Sequence, residues 1–206
     1  MLSSLLLSLL AVWTMEVVTT ETDLIIPTMA IDSTANPYIL VAKQRITSPM
    51  PLHYLFLFSK SNGIWIADTF EADANVPIDA DLTIDRYNRV WCIYPSYRDE
   101  PDTLWFLIVA RKDSLGWLKD TVESRSLNQS LSFLWYSIIT DNAAIPHIAY
   151  DAHYMQTLNA GYYAYLSDTI WHKEIVDSYP ALAYCCAIDI DSQNQPHISY
   201  FWDGYC

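Results

Sequence analysis

Tryptophan recurs at Trp13, Trp65, Trp117 and Trp171, at intervals of 52, 52 and 54 residues, and each is followed three positions later by an acid: Glu16, Asp68, Asp120 and Glu174. A fixed period near fifty residues limits the fold more than any composition does. A unit of that length must stack on copies of itself to bury its apolar faces. A second marker keeps the same register. Asp32, Asp85, Asp141 and Asp191 arrive 19, 20, 24 and 20 residues after the tryptophan, each opening a polar turn that leads into an apolar run.

One period holds four strand-like runs. In the third they are Pro146 to Tyr150, Tyr162 to Leu166, Trp171 to Val176 and Ala181 to Ile188. They are short apolar runs, with polar residues interspersed in the first and third, and their β-branched and aromatic enrichment favours strand. Ser61-Asn62-Gly63 and Ser167-Asp168-Thr169 supply turn chemistry between them. No stretch carries a helical period, and Leu131 to Ile139 takes a strand's place in the repeat.

Four short strands per fifty residues describe a propeller blade. The chain therefore reads as all-β, a β-propeller of about four blades of four antiparallel strands. Residues 1–206 make a single domain, or a piece of a larger propeller. A large ring at one blade position fills the space between adjacent sheets. The acid three residues on points to the opposite face, outward, because odd offsets switch sides of a strand.

The ends show a permuted start. Leu2 to Leu10 stands where a second strand belongs, and Pro196 to Phe201 is a first strand. The apolar start resembles a signal peptide, but no Lys or Arg precedes it and no small-x-small site follows. It is also too short to span a bilayer as a helix. Trp13-Thr14-Met15-Glu16-Val17-Val18 instead matches Trp171-His172-Lys173-Glu174-Ile175-Val176 in register, which makes it strand.

A net charge of −13 argues against nucleic acid and anionic membrane as partners, since both repel an acidic surface. Hydrophobic residues make up 52% of the chain, enough for a packed core. Cys92, Cys185, Cys186 and Cys206 have no CxxC spacing. They read as buried thiols, with a disulfide in an oxidising compartment left open among three pairings.

Pro146-His147-Ile148-Ala149-Tyr150 and Pro196-His197-Ile198-Ser199-Tyr200, continued by Tyr163-Ala164-Tyr165 and Trp171, resemble the bacterial extracellular propeller repeat of Pro-His-Ile-x-Tyr and Trp type. More distantly, Ser59-Lys60-Ser61-Asn62-Gly63-Ile64-Trp65 is similar to the Asp-box turn of sialidase-like propellers, one residue short. The resemblance runs along the whole chain and implies a secreted or cell-surface protein. It implies architecture rather than activity, because propellers host many functions.

Candidate sites are few. Sialidases hold a substrate carboxylate with an arginine cluster, but Arg45, Arg86, Arg89, Arg98, Arg111 and Arg125 do not fall at equivalent blade positions. Asp189, Asp191 and Asn194 have oxygen ligands suited to calcium, yet turn chemistry accounts for them better. Asp73, Asp79, Asp81 and Asp85 read as a solvated edge. His147 and His197 share a repeat position with Tyr38 and Trp91, which suggests a general aromatic filler. Exposed tyrosines and tryptophans could stack on sugars, although core packing explains most of them.

No catalytic, cofactor-binding or metal-binding residue is assigned, and an enzymatic role is not expected. The expected function is a non-catalytic propeller scaffold or binding module of a secreted or surface bacterial protein, with an unidentified protein or glycan partner. The alternative is a degenerate sialidase-like or glycosidase-like propeller, or a sugar-binding lectin.

Overall fold

The computed structural model describes residues 15–45, 52–74, 80–98, 104–113, 115–126, 131–132, 135–154, 160–177 and 183–202. Trp13, the Leu2 to Leu10 run and Cys206 lie outside the described residues. Between the turns, the β-branched and aromatic runs form antiparallel sheets in chain order. Blade I comprises β1 (Leu24–Ile31), β2 (Pro37–Arg45), β3 (Leu52–Ser61) and β4 (Ile64–Ala74). Blade II comprises β5 (Asp81–Ile84), β6 (Val90–Arg98), β7 (Leu104–Asp113) and β8 (Gly116–Ser126).

The run Leu131 to Ile139 divides into a short β9 (Leu131–Ser132) and the start of β10 (Tyr136–Thr140). Blade III consists of β10, β11 (Pro146–Tyr154), β12 (Ala160–Ser167) and β13 (Ile170–Asp177), with β9 also paired to β11. Among the described residues, blade IV shows two strands, β14 (Ala183–Ile190) and β15 (Pro196–Trp202). The inner strands pack side by side in the order β1, β5, β10, β14. This is the radial arrangement of a β-propeller. Each repeated tryptophan of the described residues sits on the outermost strand of its blade, so the strand after it begins the next blade.

The turn between the first two strands of each blade is the same structure four times. The side chains of Asp32, Asp85, Asp141 and Asp191 each accept two backbone amides on one carboxylate oxygen, from the residues two and four positions later, at 2.8–2.9 Å. The aspartate amide donates to the carbonyl four residues on, and its carbonyl accepts the amide three residues on. That third residue is forced into the left-handed region: Ala35 at φ 64, Asn88 at 59, Ala144 at 64 and Asn194 at 62.

The turns are also stitched to one another. The Ser33 amide and hydroxyl donate to Asn88 Oδ1 of the next blade, at 3.1 and 2.9 Å. The Asn142 amide donates to Asn194 Oδ1 at 3.2 Å. Ala144 has no such acceptor, and there Arg86 Nη1 reaches forward to the Asn142 carbonyl at 2.7 Å instead.

Apolar side chains fill the spaces between blades. Leu40, Leu55 and Leu57 of blade I meet Leu82, Val90, Cys92 and Tyr94 of blade II. Ile93, Leu107 and Val109 meet Ile138, Ile148 and Tyr150 of blade III. The last layer is thinner, Ala149 against Ile188 with Tyr163 and Ile198 beside them. Cys92 is a buried thiol whose Sγ donates to the Ala110 carbonyl at 3.6 Å, as its sequence reading anticipated. The Cys185 and Cys186 side chains lie outside the described residues.

Two hairpin turns differ instructively. Asn62 and Gly63 join β3 to β4 with φ of 51 and 79, the pairing such a two-residue turn favours. Asp168 and Thr169 make the corresponding turn in blade III at φ 49 and 69. A β-branched residue is strained in that region.

Two expectations follow. Asp85 is 3% exposed, and removing its carboxylate orphans several donors; Asp85→Ala should lower unfolding free energy by about 3 kcal/mol in chemical denaturation. Burial drives the Asp85 carboxyl up, but hydrogen bonds from Trp91, Arg89 and the Tyr87 amide outweigh it, so its pKa sits below the ordinary value. Asp32 behaves alike: burial opposes, and bonds from Asn36 and Thr34 prevail. Both carboxylates therefore stabilise fully above the unfolded pKa of about 3.9, and that contribution disappears as pH falls below it. Separately, Thr169→Gly should raise stability by about 1 kcal/mol through relief of the strained backbone, read in the same denaturation assay.

Candidate functional site

At two junctions the acid that follows a tryptophan serves the next blade. Trp117 Nε1 donates to Asp68 Oδ2 at 3.1 Å, and Trp171 Nε1 donates to Asp120 Oδ2 at 2.9 Å. Trp117 and Trp171 thus face the preceding blade, and Asp68 and Asp120 the following one. The sequence placed the two on opposite faces correctly, but read the charge as facing outward. At two junctions the acid also receives an ammonium from the residue paired with the tryptophan across the hairpin. Lys60 bonds Glu16 at 2.6 Å, and Lys112 bonds Asp68. Burial raises the Asp68 carboxyl, but the Lys112 and Trp117 bonds and the Lys112 charge hold it below the ordinary value.

Blade III departs from this pattern. Leu166 pairs with Trp171 where Lys60 pairs with Trp65 and Lys112 with Trp117. Asp120 keeps its bonds from Trp171 and the Thr121 amide, with no ammonium bonded to it among the described residues. Beside it, β7 carries Arg111 at the position of Ser59 in blade I and Tyr165 in blade III. Arg111 lies over the Trp91 ring at 5.3 Å, and its buried Nε has no hydrogen-bond partner among the described residues. Asp113 stands 3.9 Å from its Nη2.

These substitutions open a cleft of about 270 Å³ between blades II and III. Its chemistry comes from Trp91, Arg111, Lys119, Asp120, Thr169 and Trp171. Thr169 is the strained turn residue of the β12–β13 hairpin. The cleft thus offers flat apolar rings, cationic donors, one carboxylate and a hydroxyl on strands of two blades.

The other sequence candidates among the described residues have structural roles. Arg86 and Arg89 serve the turns, the latter donating to Asp85 Oδ2 at 2.6 Å. The Arg45, Arg98 and Arg125 side chains lie outside the described residues, as do those of Asp73 and Asp79. Asp81 and Asp85 do not form a solvated edge. Asp85 is buried in its turn, and Asp81 ties three blades together. It accepts from Thr28 Oγ1 of blade I at 3.1 Å, and from Ser137 Oγ and the Ile138 amide of blade III at 3.0 and 3.1 Å. Asp191 and Asn194 are turn residues, and Asp189 accepts the Ile190 amide at 2.8 Å. Among the described residues, no group of three or more His, Cys, Asp or Glu could hold a metal ion.

The shared position of Trp91, His147 and His197 does more than fill space. Trp91 Nε1 donates to the second oxygen of Asp85 at 2.9 Å. His147 Nε2 faces Asp141 Oδ2 at 3.5 Å, and His197 Nε2 faces Asp191 Oδ2 at 3.3 Å. A ring nitrogen aimed at the turn carboxylate unites these three. Tyr38 lacks one, and in blade I the Asn36 side-chain amide takes the role at 3.2 Å. His147 Nδ1 also meets Tyr163 Oη at 2.6 Å, and the two rings stack with Tyr165 and His172 along blade III.

No protein-family model and no curated protein sequence matches this chain. Its fold is similar to that of a protein of unknown function from Dyadobacter fermentans, with TM-score 0.61 and 11% identity over 90% of this chain and 59% of that one. A Hadza microbial sialidase gives TM-score 0.54 at 11% identity, covering 81% of this chain and 39% of the other. An endo-arabinase from Bacteroides thetaiotaomicron gives 0.50 at 10% identity, covering 84% and 68%. The chain thus spans less than two thirds of the first two. Identities this low show the propeller fold and nothing finer.

Burial lowers the His147 pKa below 6.5 despite the opposing pull of Asp141. Burial likewise pushes Tyr163 up to about 12, so both rings are neutral near pH 7. A histidine pKa depressed by folding means that the folded state binds fewer protons. Its stabilisation is complete above the unfolded value of about 6.5 and declines as pH falls below it. Melting temperature should drop between neutral pH and the carboxylate range, and His147→Gln should flatten that part of the profile. An unchanged slope in the variant would assign the pH dependence elsewhere.

Proposed function

We propose that this chain is a non-catalytic β-propeller binding module of a secreted or surface bacterial protein, and that it takes a glycan in the cleft between blades II and III. The observation that carries the reading is Leu166 at the site of the recurring lysine. Where Lys112 fills the junction of blades I and II and neutralises its acid, Leu166 leaves Asp120 and Arg111 facing an open space. A sugar has an apolar face of C–H groups and a rim of hydroxyls. The Trp171 and Leu118 surfaces suit the face. Asp120, Arg111, Lys119 and the Thr169 hydroxyl suit the rim. Small-molecule sites have this composition: mostly apolar walls with a few convergent polar groups.

The cleft volume of about 270 Å³ fits a single ring at the end of a chain better than a long oligosaccharide. Two proteins of similar fold carry the names sialidase and endo-arabinase, which supports glycans as the ligand class. Glycoside hydrolysis ordinarily uses a pair of carboxyl groups. Among the described residues lining the cleft, Asp120 is the one carboxylate, which supports binding without turnover. An acidic overall charge also fits a neutral ligand rather than a polyanion.

A glycan array with the folded protein, followed by calorimetry on the best ligand, tests this. Leu166→Lys should reproduce the junction of blades I and II, keep the melting temperature, and weaken binding by roughly ten-fold or more, which is about 1.4 kcal/mol. Arg111→Ser, the blade I residue, should weaken it as well. Absence of any glycan signal above background, or wild-type affinity in Leu166→Lys, overturns the reading.

A further inference from the structure

Two lysines of this chain show what chemistry the outer part of a junction accepts. Lys60 Nζ bonds Glu16 at 2.6 Å and stands 5.7 Å from the centroid of the Trp65 ring. Lys112 Nζ bonds Asp68 and stands 5.8 Å from the centroid of the Trp117 ring. Each ammonium thus meets a carboxylate and an indole face together. Both interactions depend on a positive charge.

Between blades II and III the acid and the indole persist, and the ammonium does not. Trp171 Nε1 donates to Asp120 at 2.9 Å, as Trp117 Nε1 donates to Asp68 at 3.1 Å, so ring and carboxylate keep the same mutual relation. Leu166 stands across from Trp171 where Lys60 and Lys112 stand across from their own tryptophans. Asp68 is half-buried beside its lysine, whereas Asp120 is exposed in the wall of a cleft of about 270 Å³.

The remaining charges near this point are committed elsewhere or stand apart. Arg111 lies over the Trp91 ring at 5.3 Å, with Asp113 3.9 Å from its Nη2. Lys173, two residues beyond Trp171, bonds Glu123 at 2.7 Å. Neither these cations nor Lys119 bonds Asp120, which accepts from Trp171 and the Thr121 amide.

We propose that the cleft selects a sugar carrying one free primary amine, whose ammonium bonds Asp120 beside Trp171 as Lys112 Nζ bonds Asp68 beside Trp117. The inference rests on the glycan reading of the same cleft and names the ligand class. The cleft admits a single ring, so the amine belongs to a terminal residue. A free amine fits and an acetamido group does not, because acylation removes the charge on which both interactions depend. Arg111 sets the upper limit: a second ammonium on the ligand would face a guanidinium, which favours a monocation over a polyamine. The net charge of −13 draws a cation towards this surface.

Calorimetry with methyl glycosides that differ only at carbon 2 tests this on the whole chain. The probes are the amino, acetamido and hydroxy forms, in gluco and galacto configurations. The amino form should bind about ten-fold more tightly than the other two in at least one configuration. That preference should vanish as pH rises past the amine's own pKa, where the ammonium becomes neutral. Asp120→Asn keeps an acceptor for Trp171 Nε1 and the Thr121 amide, so it should hold the wild-type melting temperature while bringing the three forms to one affinity. Leu166→Lys, which supplies an internal ammonium, should also abolish the preference. Butylammonium separates this inference from the glycan reading. If it binds the wild type and not Asp120→Asn while no glycoside binds, the ammonium site stands and the glycan falls. If the acetamido or hydroxy form binds as tightly as the amino form, or the amino preference survives Asp120→Asn, the ammonium site falls and the glycan reading stands. Failure of every amine, sugar or not, to bind also overturns the proposal.

Discussion

A single carboxylate oxygen that accepts two backbone amides organises this molecule. In Asp32, Asp85, Asp141 and Asp191 that oxygen closes the turn between the first two strands, and it sets the residue three positions later in the left-handed region. The second oxygen, left free by this arrangement, then faces a ring nitrogen six residues on, or accepts an amide in blade I. The turn thereby fixes the first pair of strands, the orientation of a large ring on the second strand, and the place from which Asn88 and Asn194 reach the turn before. Buried carboxylates are costly unless fully paired. Here pairing is nearly complete, so the charge specifies geometry rather than threatening stability.

The outer ends of the sheets are joined by a second polar device, the acid of one blade with the indole and ammonium of the next. Its variation between junctions has chemical meaning. Between blades I and II, Trp117 and Lys112 both reach Asp68, and the space is filled. Between blades II and III, Leu166 withdraws the ammonium and Arg111 arrives from an inner position. A repeated scaffold makes a cleft there by leaving something out. Thr169, held in a backbone conformation that costs energy, lies at the same place, and stored strain of this kind concentrates at functional positions.

The tryptophan period made the architecture legible in the sequence, because repeat spacing and strand alternation both follow from local chemistry. The turn aspartates were legible as turn formers for the same reason. What lay beyond reach were the lateral relations. Trp171 and Asp120 are 51 positions apart, and their pairing depends on how two sheets face each other. That Arg111 matches Ser59 and Tyr165 emerges only from hairpin registers, which bulges interrupt in β1, β4 and β8. Asp81 looked like one acid among four, yet two hydroxyls from neighbouring blades converge on it. His147 read as an aromatic filler because its ring nitrogens matter only once Asp141 and Tyr163 are placed beside it.

Nearly every strand pairs with its neighbour in sequence, and among the described residues the substantial packing between blades runs from each to the next. Such an array is close to one-dimensional, and its stability is a sum of blade terms and interface terms. Blades II and III are flanked by blades on two sides, whereas among the described residues β14 and β15 meet blade III across a thin apolar layer. The thin layer beside β14 and β15 is the weakest of the described interface terms, so amide exchange is expected to be faster there than in β6 and β11. Rigidity is thereby graded from one junction to the next, and the cleft opens beside the broadest of the described apolar layers.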